Sequence, residues 1–265
     1  MSQRREFLQI AKTFRPNLDN ITGWYVSEML EGSRCLWDGG LSRGVATEQV
    51  PWAAITNPRT GEPKAKIRTI ATGLWSQHGN PIIAPEWFLA KLPPIPCDGM
   101  LWAGRGNLAE CRSICAGDKP DSRFVNMHFA IFSAPPVEYL FQTGLVKTQG
   151  MLVQIDFQEV DKWVKTYANQ IELRALPRGS NLSQELFTLD GWTGWDEQVY
   201  PTPNSILSKD RDEALEQLDQ YANQVISKGG KGVIIRDPQA RWKPKKVSTC
   251  LKYRPKRLEE NENPE

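Results

Sequence analysis

The chain has 265 residues, of which 40% are hydrophobic and 24% charged, and its formal net charge is +2. This composition is typical of a globular protein with enough apolar material for a proper core. No apolar run approaches the roughly 20 residues that a membrane span needs, and residues 1–16 lack the apolar stretch of a signal sequence. We therefore expect a cytoplasmic protein with no membrane partner.

Short apolar runs bounded by Gly, Pro and Asp predict strands along the chain. In chain order they lie at 23–26, 35–37, 100–102, 127–132, 151–157 and 232–236. The clearest helical stripe lies at 208–228, with Ser208 or Asp210 as the cap and Gly229 as the stop. Shorter helical stripes lie at 87–92 and 160–167. Strands outnumber helices without alternating with them, so we predict an α+β fold of antiparallel sheets flanked by helices.

The five cysteines have no spacing typical of a zinc site, and only two histidines accompany them. Reduced thiols in a cytosolic protein are the expected state. Cys111 and Cys115 stand four residues apart in a probable helical segment, where two small residues most often share a packed face. The sequence also lacks a P-loop, and Gly104-Arg105-Gly106 lacks the rest of a dinucleotide-binding fingerprint.

Charge is concentrated at the end of the chain. Seven lysines and arginines stand between 243 and 257, and an acidic stretch follows at 258–265. The basic cluster is either a phosphate contact or an ordinary solvated surface, and charge alone does not separate the two. We predict one domain over residues 1–257 and a disordered acidic tail at 258–265.

Five polar segments at the ends of apolar strands form the most specific pattern. They are SEMLEGSRCLWDGGLSRG at 27–44, CDGMLWAGRGN at 97–107, MHFAIFSAP at 127–135, GGKGVIIRDP at 229–238 and LKYRPK at 251–256. In this order and at these distances they resemble nucleotidyltransferase motifs I, III, IIIa, IV and V of ATP-dependent DNA ligases, most closely the small bacteriophage-type ligases. The likeness continues through VPWA at 50–53, APEWF at 84–88 and RSICAG at 112–117.

The resemblance implies a nucleotidyltransferase (ligase adenylation) fold, ATP as cofactor with Mg²⁺, and nicked duplex DNA as partner. In that family a motif I lysine attacks the α-phosphate of ATP and forms a lysyl-adenylate. The AMP then passes to the 5′-phosphate at a nick before the 3′-hydroxyl closes the strand. An amine held near other cations can lose its proton and become such a nucleophile.

The sequence departs from the family at the positions that carry this chemistry. Met29 stands at the nucleophile position, and Met100 and Lys231 stand at the metal-ligand positions where glutamates are expected. Glu31 replaces the usual motif I aspartate and keeps its charge. A thioether has no proton to lose and is a poor ligand for Mg²⁺. We therefore predict that the chain cannot adenylate itself and that its use of Mg²⁺ is weakened.

The binding residues implied by the resemblance are retained. Glu28 and an aromatic residue, Phe132 or Phe129, are expected to frame the adenine, and several cations are expected to meet phosphates. Those cations are Arg34, Arg43, Lys252 and Arg254, with Arg105 as a further candidate. Glu31, Arg34 and Lys252 join Met29 as the residues expected at the catalytic centre.

Two functions stay open at this point. One is a ligase adenylation domain whose catalytic residues are substituted, and the other is a naturally degenerate ligase-like protein that binds nucleotide or DNA or serves as a partner subunit. Lys231 could act as a substitute amine, but a fixed positive charge in place of the metal is the favoured interpretation. A capping-type guanylyltransferase is a distant third. Ligases continue after motif V into an oligonucleotide-binding (OB) barrel, which we do not expect in this chain.

Overall fold

The computed structural model describes residues 8–50, 52–54, 69–135 and 180–255, together with the backbone of two short strands at 146–148 and 151–153. Within these ranges the chain forms four α-helices and twelve strands. The helices are α1 (Glu86–Leu89), α2 (Leu108–Ala116), α3 (Leu182–Asp190) and α4 (Arg211–Ser227). The strands are β1 (Ile10–Thr13), β2 (Tyr25–Glu28), β3 (Ser33–Asp38), β4 (Leu74–Ser76), β5 (Pro96–Trp102), β6 (His128–Ser133), β7 (Val146–Thr148), β8 (Met151–Val153), β9 (Val199–Pro201), β10 (Ser205–Ile206), β11 (Val233–Arg236) and β12 (Lys246–Tyr253).

The first five-stranded sheet has the order β1-β12-β11-β2-β10. Val233 in its central strand lies opposite both Glu28 and Tyr253, so the register brings the segments resembling motifs I, IV and V side by side. The buried side chains Val26 and Ile235 on one face of this sheet pack with Leu218 of α4 in a common core. The opposite face carries Ile234 and Lys252, which are partners across β11 and β12.

Helix α4 shows how local sequence sets an element. The Asp210 side chain accepts hydrogen bonds from the backbone N–H groups of Asp212 and Glu213, both at 3.0 Å, and so caps the helix. Ala214, Leu218, Ala222 and Val225 form the buried stripe. Gly229 follows the helix with a positive φ of 82°, a conformation that glycine adopts without strain. The predicted helix is confirmed, with Asp210 rather than Ser208 as its cap.

The second five-stranded sheet has the order β4-β3-β5-β6-β9. One face is the main core, where Leu101, Phe129 and Ile131 pack with Cys111 and Ile114 of α2. The other face carries a row of four residues that are direct neighbours across β3, β5, β6 and β9. These are Arg34, Met100, Ala130 and Tyr200.

The fold class predicted from the sequence is α+β with antiparallel sheets, and most strand pairs are indeed antiparallel. The pairs β1–β12 and β6–β9, one at an edge of each sheet, are instead parallel. Helix α3 was not predicted; it begins at a capping box of Asn181 and Gln184. The predicted helix at 160–167 and most of the predicted strand at 151–157 lie outside the described residues, as does the predicted acidic tail. No helix among the described residues is long and apolar enough to cross a membrane.

Candidate functional site

The candidate site lies in a cleft between the two sheets, which side chains join at its floor. Arg236 of β11 donates hydrogen bonds to the backbone oxygen of Phe132 in β6 and, at 2.8 Å, to Asn204 Oδ1. The Trp242 indole N–H donates to Asp98 Oδ2 of β5 at 2.8 Å. The face with Ile234 and Lys252 therefore turns towards the face with Arg34 and Met100. We call the space between these two faces the site cleft.

Arg34 is held by a paired hydrogen bond to a buried carboxylate. Its Nε and Nη2 donate to the two oxygens of Asp98 at 2.8 and 2.7 Å, and Asp98 is only 1% exposed. Burial disfavours the charged guanidinium, but the Asp98 carboxylate outweighs burial and raises the pKa of Arg34. The guanidinium carbon also lies 4.8 Å from the centre of the Phe132 ring, a cation–π distance. Arg34, predicted to meet a phosphate, is thus already paired with Asp98 and stacked on Phe132.

The two aromatic candidates for the adenine are placed differently by the structure. Phe129 is fully buried in the core on the outer face of its sheet. Phe132 is half-buried on the inner face, beneath Arg34. Ile234, also half-buried, belongs to the facing sheet. Of the two, Phe132 is therefore the aromatic ring that faces the cleft.

Two buried charged residues that the sequence did not predict, Arg236 and Glu185, lie at the floor of the cleft. Arg236 is 5% exposed, and burial lowers its pKa. Glu185 of α3 is 1% exposed, and burial raises its pKa to about 8, with Arg236 opposing that shift. Asp98 lies in the segment that resembles motif III, and a carboxylate within an apolar strand indicates that it has a buried partner. The sequence contains no comparable indication for Glu185 or Trp242.

Met29 and Lys231, the positions that the ligase resemblance assigns to the nucleophile and to a motif IV carboxylate, lie on neighbouring backbone segments. The backbone N–H of Met29 donates to the carbonyl of Gly232 at 2.9 Å, one residue from Lys231. Gly232 has a φ of 135°, and a Cβ there would collide with the Tyr253 carbonyl. Met29 and Lys231 are both half-buried. The chain thus has a lysine one residue from the backbone partner of Met29, but it offers no amine at position 29 itself.

Glu28 and Arg105 form an ion pair across the mouth of the cleft. Arg105 Nε and Nη2 donate to the two Glu28 oxygens at 3.0 and 2.7 Å. Arg105 stands between two glycines with positive φ, in the loop that follows β5. A Cβ at Gly230 would lie 2.9 Å from Glu28 Oε1, so the glycine leaves room for this carboxylate. Glu28, predicted to frame the adenine, is thus paired with Arg105.

The remaining predicted cations differ in their partners. Arg43 forms an ion pair with Glu86 at the start of α1. Lys252 and Arg254 are exposed at the end of β12. The stem of Arg254 runs past Gly232, where a Cβ would lie 3.0 Å from Arg254 Cγ. Of these predicted cations, Lys252 and Arg254 form no ion pair among the described residues and remain available to an anion.

The loop that carries Arg43 is held by a buried carboxylate, Asp38. Its oxygens accept from the backbone N–H of Gly40 at 2.9 Å and from the Trp75 indole at 3.0 Å, and Ser42 donates to the same carboxylate. Burial raises the pKa of Asp38 to about 6, while these hydrogen bonds oppose the shift. Asp38 therefore shapes the loop and does not face a ligand.

The residues of the cleft do not fit a bound Mg²⁺ ion. Within the described ranges, no group of three or more His, Cys, Asp or Glu is arranged to hold a metal. Both oxygens of Asp98 and both of Glu28 already accept hydrogen bonds from arginines. Met100 adds a thioether on the inner face, and Mg²⁺ prefers oxygen ligands. Glu31, half-buried beside Gly32, is a single carboxylate in a segment that would need several.

Comparison with known proteins places these features in context. No protein-family model matches the chain. A DNA ligase from Haemophilus influenzae is 22% identical over 244 residues, which are 92% of this chain and 62% of that ligase. This chain therefore spans about three fifths of the length of that relative.

Two solved structures share the fold. One comes from a structure–function analysis of Lig E DNA ligases; it has a TM-score of 0.58 and 20% identity and covers 94% of this chain and 68% of its own. The other, named Pmar-Lig_PreS3, has a TM-score of 0.52 and 14% identity and covers 95% of this chain and 46% of its own. The α+β architecture that the sequence predicts is confirmed.

Proposed function

We propose that this chain, which resembles the ATP-dependent DNA ligases and has their nucleotidyltransferase fold, binds adenine nucleotides and nicked duplex DNA without forming a lysyl-adenylate. The observation that carries the proposal is the side chain at the nucleophile position. Met29 lies against Gly232, where the family resemblance requires a lysine. A thioether has no proton to release and cannot form the stable phosphoramidate bond that an amine forms with AMP.

Nucleotide binding is supported by what lines the cleft. The half-buried Phe132 ring, which carries the Arg34 guanidinium on one face, and the half-buried Ile234 side chain stand on opposite sheets. A purine base between the two sheets would pack against both. Stacking on an aromatic ring contributes about 1–3 kcal/mol per base. Lys231, Lys252 and Arg254 stand at the phosphate side and supply positive charge.

DNA binding is supported by the charge around β12. Lys243, Lys245 and Lys246 are exposed, as are Lys252 and Arg254. Lys256 and Arg257 of the same cluster lie outside the described residues. Cations that neutralise backbone phosphates release counterions, which provides affinity for duplex DNA of any sequence. A role in DNA repair or replication and a cytoplasmic location belong to the same proposal.

The decisive experiment is incubation of the purified chain with α-labelled ATP in Mg²⁺, followed by denaturing gel analysis. We expect no covalent label, while equilibrium dialysis of the same preparation detects reversible ATP binding. A covalent AMP adduct on any residue would overturn the proposal, and its position would show which amine had replaced the missing one. Lys231, beside the partner of Met29, is the first residue to examine.

Restoration of the family residues provides a second test. Met29→Lys alone should recover little adenylation, because the cleft still lacks carboxylates for the metal. Adding Met100→Glu and Lys231→Glu should recover far more than the sum of the separate changes, since nucleophile and metal act as a unit. Full activity from the single substitution would show that the metal-ligand positions are dispensable and that the non-catalytic state depends on Met29 alone.

A further inference from the structure

Carboxylates on both sides of the cleft are already neutralised by cations of the chain. Asp98 is bound by Arg34 and by the Trp242 indole at the floor. Glu28 is bound by Arg105 at the mouth. An incoming cation would have to break one of these paired interactions to gain an oxygen ligand. Paired arginine–carboxylate hydrogen bonds are among the stronger polar interactions in proteins.

Three cations at the same end of the cleft are not neutralised in this way. Lys231, Lys252 and Arg254 form no ion pair with any residue in the described ranges. Lys231 is half-buried and stands between Gly230 and Gly232, neither of which adds a side chain beside it. Arg254 passes beside Gly232. Glu31 likewise forms no ion pair in the described ranges, so three cations stand against one carboxylate. The excess charge of this region is therefore positive, which suits an anion rather than a divalent cation.

We propose that the cleft binds the triphosphate of free ATP directly through these cations, with Lys231 in the electrostatic role of a metal ion. The proposal rests on the proposed function and specifies its ligand as metal-free ATP. An ammonium is a compact charge with three donors and can contact oxygens of neighbouring phosphates. Mg²⁺ bound to ATP would bring a second cation towards Lys231 and would find no free carboxylate pair among the described residues of the cleft.

The test measures ATP and AMP affinity by isothermal titration calorimetry in two buffers, one with EDTA and one with excess Mg²⁺. The unaltered chain should bind ATP at least as tightly in EDTA as in Mg²⁺. Lys231→Met, of similar size but uncharged, should weaken ATP binding in EDTA by roughly tenfold to a hundredfold, the range for removal of one charged hydrogen bond. The same substitution should weaken AMP binding less, because AMP places fewer phosphates near position 231.

Charge reversal supplies the sharpest contrast. Lys231→Glu should abolish ATP binding in EDTA and recover part of it when Mg²⁺ is added, because a carboxylate then faces the phosphates. Lys119→Glu is the matched control: it changes the net charge by the same amount and should leave the affinity for ATP unchanged in EDTA and in Mg²⁺. Lys119 is exposed after α2, which packs on the outer face of the second sheet, away from the cleft. Thermal melts of each variant confirm that it is folded.

The outcomes separate this proposal from the broader one. ATP binding that requires Mg²⁺ in the unaltered chain would overturn the metal-free mode and leave nucleotide binding intact. Equal affinity of Lys231→Met and the unaltered chain would likewise remove Lys231 from the site. Absence of ATP binding in both buffers would overturn this proposal and the nucleotide part of the proposed function together.

Discussion

Asp98 is the position at which a single substitution tests the architecture of the cleft most directly. Asp98→Asn removes one charge, keeps the shape, and leaves the Arg34 guanidinium without its counter-ion. Removing one partner of a buried ion pair destabilises a protein by about 3–5 kcal/mol. The Arg34 side chain is 25% exposed, so its guanidinium can turn partly to water. We therefore expect a loss of stability at the lower end of this range, about 3 kcal/mol.

The assay is urea unfolding followed by tryptophan fluorescence. The dependence of the unfolding free energy on urea concentration should be the same for the variants and the unaltered chain. Asp121→Asn is the matched control. Asp121 forms an ion pair of the same 2.7 Å length with Arg123, but at the surface. Asparagine also retains the oxygen that caps the following turn. The control should lose far less stability than Asp98→Asn.

The double variant of Asp98→Asn with Arg34→Met tests the cause of the destabilisation. It should be more stable than Asp98→Asn alone, because it leaves no unpaired guanidinium in the cleft. A destabilisation below about 1 kcal/mol for Asp98→Asn, the range of an exposed pair, would refute the argument. It would show that water reaches the Arg34–Asp98 ion pair freely.

Three further predictions concern the buried Glu185, the Phe132 ring and the lysines just before β12. Burial raises the pKa of Glu185 to about 8 from 4.5, so the folded state retains a proton that the unfolded chain releases. The protonated Glu185 therefore contributes free energy of unfolding that is complete below about pH 4.5 and is lost as the pH rises through 8, by at most about 1.4 kcal/mol per pH unit. Glu185→Gln should flatten this dependence of the unfolding free energy on pH, measured by urea unfolding. Phe132→Ala should weaken ATP and AMP by the same factor of about ten in calorimetry, because stacking on the base is indifferent to the number of phosphates; unequal effects would place the ring at the phosphates. Joint Lys243→Ala and Lys245→Ala substitution should reduce the salt dependence of nicked-duplex binding, by a log–log slope of about 0.9 for each phosphate that is no longer neutralised, without lowering the unfolding midpoint.

Local patterns in the sequence were sufficient to predict several elements of the two sheets and the long helix. The apolar run after Arg34 and the run ending at Arg236 correspond to strands, and Asp210 caps α4 where the stripe begins. Caps and alternation are properties of neighbouring residues, so they can be read without the fold. The edge strands β1, β4, β9 and β10 were not predicted, because they are short and are defined mainly by pairing to a neighbour. The eight-residue strand β12 was not predicted either, because polar residues interrupt its apolar positions.

Residue types are visible without the fold, so the sequence alone shows a methionine at position 29, where the ligase resemblance expects an amine. What each charged side chain contacts is visible only in the folded chain. Arg34 meets Asp98 across 64 residues, and Glu28 meets Arg105 across 77. A charged residue in a strand reveals neither its face nor its opposite neighbour, because both follow from register and from how two sheets pack. The balance of charge in the cleft, with Asp98 and Glu28 paired to arginines and Lys231 without an ion pair among the described residues, is therefore a property of the fold.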